Sequence, residues 1–460
     1  MPIERAGLTT HPPQQAPTGL AGAPRRVGPV RLLVKTRDAF ARVPLLGWLL
    51  GALAAVIVER FAGYPLALEL GMSEMPALFG LDIVLDQPAL IPGVILYVLL
   101  IYLLPLGIVA WLSSWPANWL AEKLLRLPRG ISLLIHLALL YAVLSQWAAL
   151  GDYRELLLKL ILIAIIVTLS LNVVNGFMGE FSCSHPGFMA LGAYAASVVT
   201  VLCFVQNKIL GAPLLPHVPG LLIFPLSLVV GGLVAAFGAL FVAIPSFRTR
   251  GDYLAVISLA FTFIVKSLIE NLQIVGGARG FMGQPDFASL PAVFVITALS
   301  VLIINNFVRS TLGKALNAVR DDEIAANAMT INTRRTKMTA FLFSAFWAGV
   351  AGGLLAHVIR YVNPGSFGIL KLSEVLAMVY LGGLNSVVGS IVGAVGLNLL
   401  MEALRPLEIL KWIVIPVLLI LVMIFRPTGL VAFREFKVEE MLMPKMKPAG
   451  EGKHGTPASS

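Results

Sequence analysis

Two polar clusters carry the residues with most chemical potential in this chain. The first is Arg320-Asp321-Asp322-Glu323-Ile324-Ala325-Ala326, in the middle of the long polar stretch Arg309–Lys337. It reads as a short helix with acids in its first turn and alanines behind them. Acids there complement the positive end of the helix dipole, and alanines leave a narrow face that can slide into another protein's cleft. The functional reading is a docking helix for a separate partner; the plainer alternative is a solvated amphipathic linker. The second cluster runs from Asn172-Val173-Val174-Asn175-Gly176 through Gly179-Glu180-Phe181-Ser182-Cys183-Ser184-His185-Pro186-Gly187 and leads into Leu191-Gly192-Ala193-Tyr194. Glycines and small polar residues at this density break one helix and start another. The exposed amides and carbonyls of broken helices can hold a small zwitterion. Small residues also let helices pack closely, so both readings stay open. His185 taken alone reads as a core histidine.

Other chemistries lack their residues. Gly313-Lys314 is followed by Ala315, and Val308 stands where a nucleotide-binding loop has its first glycine. No His-rich or Cys-rich spacing suits a metal, and no G-x-S-x-G elbow occurs. Cys183 and Cys203 are too few and too embedded for a disulfide framework. The sequence therefore predicts no metal, no cofactor and no nucleotide hydrolysis by this chain.

The elements that must position these clusters follow from composition. The chain is 58% hydrophobic and 13% charged, with mean hydropathy +0.88, far from the quarter-charged make-up of soluble domains. Windows long enough to cross a bilayer core fall at 44–61, 88–112, 131–150, 156–174, 186–205, 219–244, 253–271, 291–308, 338–361, 373–402 and 408–425. The expected fold is an all-α polytopic transmembrane bundle of 11–12 spans. The proline-bearing basic stretch 1–43 and the tail 431–460 read as disordered.

The net charge of +10 is no nucleic-acid signal, because of where the charges lie. Arg25, Arg26, Arg31, Lys35, Arg37 and Arg42 precede the first span; Lys123, Arg126 and Arg129 follow the second. Arg248 and Arg250 follow the sixth, and Arg334, Arg335 and Lys337 close the long polar loop. The stretch after the first span instead bears Glu59, Glu69, Glu74, Asp82 and Asp86. This alternation puts the N-terminus and the 309–337 loop on the cytoplasmic side, and a cytoplasmic C-terminus is expected with twelve passes. Parity with the basic tail (Arg426, Arg434, Lys437, Lys445 and Lys447) needs twelve passes, so segment 373–402 is the place to look. As one helix it would measure about 45 Å against a core of about 30 Å. Gly382-Gly383-Leu384-Asn385-Ser386 interrupts it, predicting a broken helix there, with a single tilted helix as the alternative.

The run Asn172–Tyr194 resembles the "LN…G…G…S…H…F…GAY" signature of the LivM-like permeases, the membrane subunits of branched-chain amino acid ABC importers. Gly276-Gly277-Ala278-Arg279-Gly280 resembles that family's external glycine loop, and Arg320–Ala326 its cytoplasmic coupling segment. Phe341, Ser344, Gly349, Gly352, Pro364, Gly382-Gly383, Gly389 and Gly393-Ala394 continue the pattern. The resemblance covers residues 151–430 as a permease core, with 44–150 as an N-terminal transmembrane extension. Glu180 departs from the family's usual Gln, Cys183-Ser184 replace a common Leu-Gly pair, and Thr330 replaces the usual glycine after the coupling helix.

The resemblance implies an importer half-pore in a bacterial inner membrane. Its partners would be two cytosolic ABC ATPase subunits, a homologous second permease and a periplasmic amino acid-binding protein, with membrane lipid around it. It implies coupling through Arg320, Asp321, Asp322, Glu323, Ala325 and Ala326, and a substrate pathway along Asn172, Ser182, His185, Tyr194, Gly276, Gly277 and Gly280. Alternatives are a permease for urea or another small polar solute, or an ion-coupled secondary transporter. The last needs ionisable groups within the membrane, for which Glu270, Glu374, Glu402, Lys159 and Lys266 are the candidates.

Overall fold

The structure, a computed structural model, describes residues 40, 43–72, 76, 88–125, 128–205, 211–214, 220–247, 253–405, 410–426, 429–431, 442–443 and 445. The expectation of disorder in 1–43 and 431–460 falls almost wholly outside these. So do Glu74, Asp82, Asp86, Arg126, Arg248, Arg250, Arg434, Lys437 and Lys447.

Among the described residues, nine helices are long and apolar enough to cross a membrane. They are α1 (Leu45–Glu69), α2 (Ile91–Leu112), α4 (Arg129–Ala148), α5 (Asp152–Met178), α6 (His185–Phe204), α7 (Gly220–Ser246), α8 (Tyr253–Asn271), α9 (Leu290–Arg309) and α12 (Thr333–Ile359). Helix α3 (Ser114–Leu125) is too short to span. It exposes Trp115 and Trp119, and Lys123 lies 3.8 Å from the centre of the Trp119 ring. The chain is thus a multi-pass, all-α membrane protein.

Helix α5 is the axis of the bundle: 83% of its apolar window is buried, because α4, α9, α12 and the two helices over 369–382 and 387–403 pack against it. Helices α6, α7 and α12 close on one another through glycine. A Cβ at Gly192 would lie 2.1 Å from the Gly349 carbonyl oxygen, and one at Gly352 would lie 2.0 Å from the Met189 carbonyl oxygen. Without a hydrophobic drive between lipid-bathed helices, backbone contact of this kind holds them by dispersion.

Segment 373–402 is broken where the glycines sit. Helix α13 (Ile369–Gly382) ends at Gly383, and α14 (Val387–Ala403) begins after Ser386, whose side chain accepts from Gly389 N at 3.0 Å. The two fold back on each other: Gly382 meets Gly389 and Gly393, while Gly393 meets Met378. At 14 and 17 residues they measure about 21 and 25 Å. The single tilted helix is excluded. A last helix, α15 (Lys411–Phe425), packs on α13.

The extension differs from expectation at α3, which no expected span covers, and at Glu59. Glu59 is not in a loop after the first span; α1 continues to Glu69 and Glu59 is buried within it. Arg154 of α5 lies 2.9 Å from Glu59 Oε1, which also accepts from Tyr102 OH at 2.5 Å. An ion pair this deep needs both partners, and here they join the extension to the core. Glu59 therefore carries no weight as an external charge.

Candidate functional site

At one end of the bundle the polar stretch after α9 folds into two helices rather than one. Helix α10 (Thr311–Asp321) is capped by Ser310, and Asp322 then turns the chain sharply, at φ −158° and ψ 108°. Arg320 and Asp321 therefore end α10, and α11 (Glu323–Ala328) starts later than the composition suggests. The Asp322 carboxylate accepts from Ile324 N at 2.9 Å and Ala325 N at 3.0 Å, which satisfies the orphan donors of α11. The helix ends just as sharply. Thr330 stands at φ 68°, with Ile331 N donating to Ala326 O at 3.1 Å and Thr330 N to Asn327 O at 3.1 Å. This is the paired carbonyl closure that glycine usually provides; threonine provides it here, so the missing glycine does not blur the helix end.

Helix α11 presents a different face from the one its alanines suggested. Ala326 turns inward and is 5% exposed, whereas Ile324 and Met329 are 85% and 75% exposed. The reason is rotational: the Asp322 cap and the Thr330 closure fix the helix with position 326 toward the chain itself.

Two basic residues join this helical corner to the second polar cluster. Lys337 lies inside α12, not in a loop. Its Nζ donates to Glu180 Oε1 at 2.6 Å and to Glu323 Oε2 at 2.8 Å. Arg320 pairs with Asp321 at 2.8 Å and reaches Gly176 O at 3.3 Å. Its stem covers Gly179, where a Cβ would lie 2.4 Å from the Arg320 Cγ. Gly179 is also left-handed, at φ 76°, and ends the π turn Val173–Met178 that closes α5.

From Gly179 the chain runs back into the bundle. Helix α6 starts at His185, whose Nε2 lies 3.0 Å from Ser344 Oγ. Ser344 sits about 16 Å along α12, so α6 begins inside the bundle, above the helical corner. Irregular backbone there must be satisfied by protein. Here Ser182 N donates to Asn175 Oδ1 at 3.2 Å, Cys183 N to Ser258 Oγ at 2.8 Å, and Thr262 Oγ1 to Cys183 O at 2.9 Å. Ser344 Oγ donates onward to Ser170 O at 2.6 Å, which makes His185 Nε2 its donor and leaves His185 Nδ1 without a partner among the described residues. Ser182 and His185 are both fully buried.

Asn172 holds the α13–α14 turn. Its Nδ2 donates to Ser390 Oγ at 2.6 Å and Ser386 O at 3.1 Å, and its Oδ1 accepts from Asn385 N at 3.1 Å. The remaining expected pathway residues lie at the opposite end. Tyr194 OH donates to Val362 O at 3.1 Å, in a two-stranded antiparallel ribbon of β1 (Phe281–Met282) and β2 (Tyr361–Val362). Gly276, Gly277 and Gly280 form the left-handed turns leading into β1, at φ 86°, 54° and 84°. Asn172, Ser182 and His185 thus gather near the helical corner, and Tyr194 with the glycine loop gathers at the ribbon.

The five groups expected for a gradient-driven carrier each have an ion-pair partner three or four residues away along the chain. Lys159 meets Glu155, Lys266 meets Glu270, Lys371 meets Glu374 and Arg405 meets Glu402, each within one helical turn. Sequence reasoning missed the bridging position of Lys337 and the pairing of Lys371 with Glu374. The signals were present: an acid at 180 in place of an amide, and a Lys-x-x-Glu spacing at the start of a span.

Discontinuous helices around a buried axis, with a polar helical corner at one end, are features of membrane transport proteins. Residues 153–424 match the family described as branched-chain amino acid transport system / permease component, and the chain belongs to that family. It is 34% identical over 307 residues to the high-affinity branched-chain amino acid transport system permease protein LivM of Escherichia coli (strain K12), covering 59% of this chain and 68% of that protein. The LivM of Salmonella typhimurium is 33% identical over 305 residues, 58% and 68% of the two chains. The BraD permease of Pseudomonas aeruginosa is 34% identical over 143 residues, 30% and 46% of the two. No solved structure matches the chain.

Proposed function

We propose that this chain is the membrane-embedded half-pore of an ATP-driven importer of branched-chain amino acids. It receives substrate from a periplasmic binding protein and is completed by a homologous second permease. ATP is hydrolysed by two cytosolic subunits, and α11 is the element they grip. The observation that carries this reading is the corner of α10 and α11, which presents Ile324 and Met329 to solvent while Lys337 ties its back to Glu180. Exposed apolar side chains on a short, capped helix are anchors for a partner's groove. With that corner cytoplasmic, the ribbon and the Gly276–Gly280 loop face the periplasm and both termini lie in the cytoplasm.

Asn172 is assigned to holding the α13–α14 turn, and Ser182 and His185 to holding the re-entrant segment. The pathway residues thereby position moving parts instead of touching the substrate. Co-purification tests the docking face: Ile324→Asp inserts into the membrane but loses its ATPase subunits. Full retention of those subunits and of uptake by Ile324→Asp would show that the corner is only a linker.

A further inference from the structure

Lys371 and Glu374 stand one turn apart on α13, with Lys371 Nζ at 3.0 Å from both carboxylate oxygens of Glu374. The pair belongs to a single helix and bonds no other element among the described residues, so it does not join parts of the fold. It instead borders a partly open cavity of about 90 Å³, whose walls include Leu160, Ile163 and Val167 of α5 and Asn398 of α14. Asn398 donates its amide to Ala394 O at 2.7 Å and offers the carbonyl end without a donor among the described residues. Charged groups within a membrane domain are expensive and mark a pathway or a ligand unless they secure the fold.

We propose that this cavity is where the translocated amino acid pauses, with Lys371 taking its α-carboxylate and Glu374 its α-ammonium. The aliphatic walls of α5 take the side chain, and Asn398 accepts from the ammonium beside Glu374. This assignment rests on the proposed function and adds its recognition chemistry. The substrate's two charges replace the ones that Lys371 and Glu374 give each other, so the site is neutral whether full or empty. A cavity of this size holds only a few waters when closed, and loading it requires α13 to part from α5.

The test uses the whole complex in vesicles with saturating leucine-loaded binding protein, reading the maximum uptake rate. Glu374→Gln and Lys371→Gln each lower that rate about 10-fold or more, the scale of a lost hydrogen bond to a charged group. Both keep their ATPase subunits on purification. The exchange of Lys371→Glu with Glu374→Lys preserves the ion pair but stays slow, because its polarity relative to Asn398 is reversed. Recovery of the full rate by the exchanged pair would overturn the proposal, as would wild-type rates in the single variants. A second reading needs no charge change. In a background with Cys183 and Cys203 replaced by serine, Asn398→Cys reacts with a small water-soluble thiol reagent, and leucine slows the reaction. Inertness in every nucleotide state, or modification that leucine does not slow, would refute the cavity as a site. A wild-type complex that carries none of leucine, isoleucine and valine would instead overturn the function itself.

Discussion

Replacing Lys337 with methionine tests how the helical corner is fastened to the bundle. Methionine keeps an unbranched stem in α12 and deletes the ammonium shared by Glu180 and Glu323. The Lys337 side chain is 11% exposed and that of Glu180 26%, so this link sits between the surface and buried limits and is worth about 1–2 kcal/mol. Glu323 is 52% exposed, and its link adds about 0.5 kcal/mol after solvent screening. The loss of about 2 kcal/mol corresponds to roughly a 30-fold shift toward an undocked corner. The two carboxylates that had shared one nitrogen then repel each other. Hydrogen exchange over residues 311–328 reads this directly, and amide protection in α11 should fall by that factor. Leucine uptake per ATP hydrolysed should fall with it, because a loosened corner transmits less of the partners' motion. Glu180→Gln retains a hydrogen-bonding oxygen for Lys337 and should produce a smaller effect. Unchanged protection together with unchanged uptake in Lys337→Met would refute the fastening.

Three further outcomes follow from the geometry. Thr330→Gly relieves a β-branched residue at φ 68° and should stabilise the α11 terminus by about 1 kcal/mol, seen as slower amide exchange there. Asn172→Ala strips the α13–α14 turn of its buried partners; it should cost about 3 kcal/mol and lower the melting temperature of the purified complex. Gly192→Ala places a Cβ 2.1 Å from the Gly349 carbonyl oxygen and should cost about 1–3 kcal/mol by forcing α6 from α12, measured by the same melt.

The all-α bundle and the break at Gly382–Ser386 were legible because both rest on local signals. Apolar windows mark spans, and a glycine pair too deep in an overlong window marks a turn. Helix α3 escaped because twelve residues with lysine and glutamate among tryptophans have neither a span's length nor a loop's polarity. Glu59 was misplaced because a buried acid looks like a loop acid until its partner is known, and Arg154 lies far away in sequence. The same limit applies to Ala326. Composition identifies a helix with a small-residue face, but which way that face turns is set by the Asp322 cap and the Thr330 closure. The second polar cluster was read rightly as a helix break, whereas its hydrogen bonds reach α8, α12 and the α13–α14 turn, contacts that spacing along the chain does not encode.

The proposed drive of this chain by partner subunits acts through α11. It is tested most directly by the energy source of transport. Inside-facing ATP should support leucine uptake into vesicles bearing the complete complex after proton and sodium gradients are collapsed. Uptake should stop when the ATPase subunits carry an inactivated hydrolytic site. Uptake that persists without ATP hydrolysis and vanishes with the gradients would contradict the account and make the chain an ion-coupled carrier.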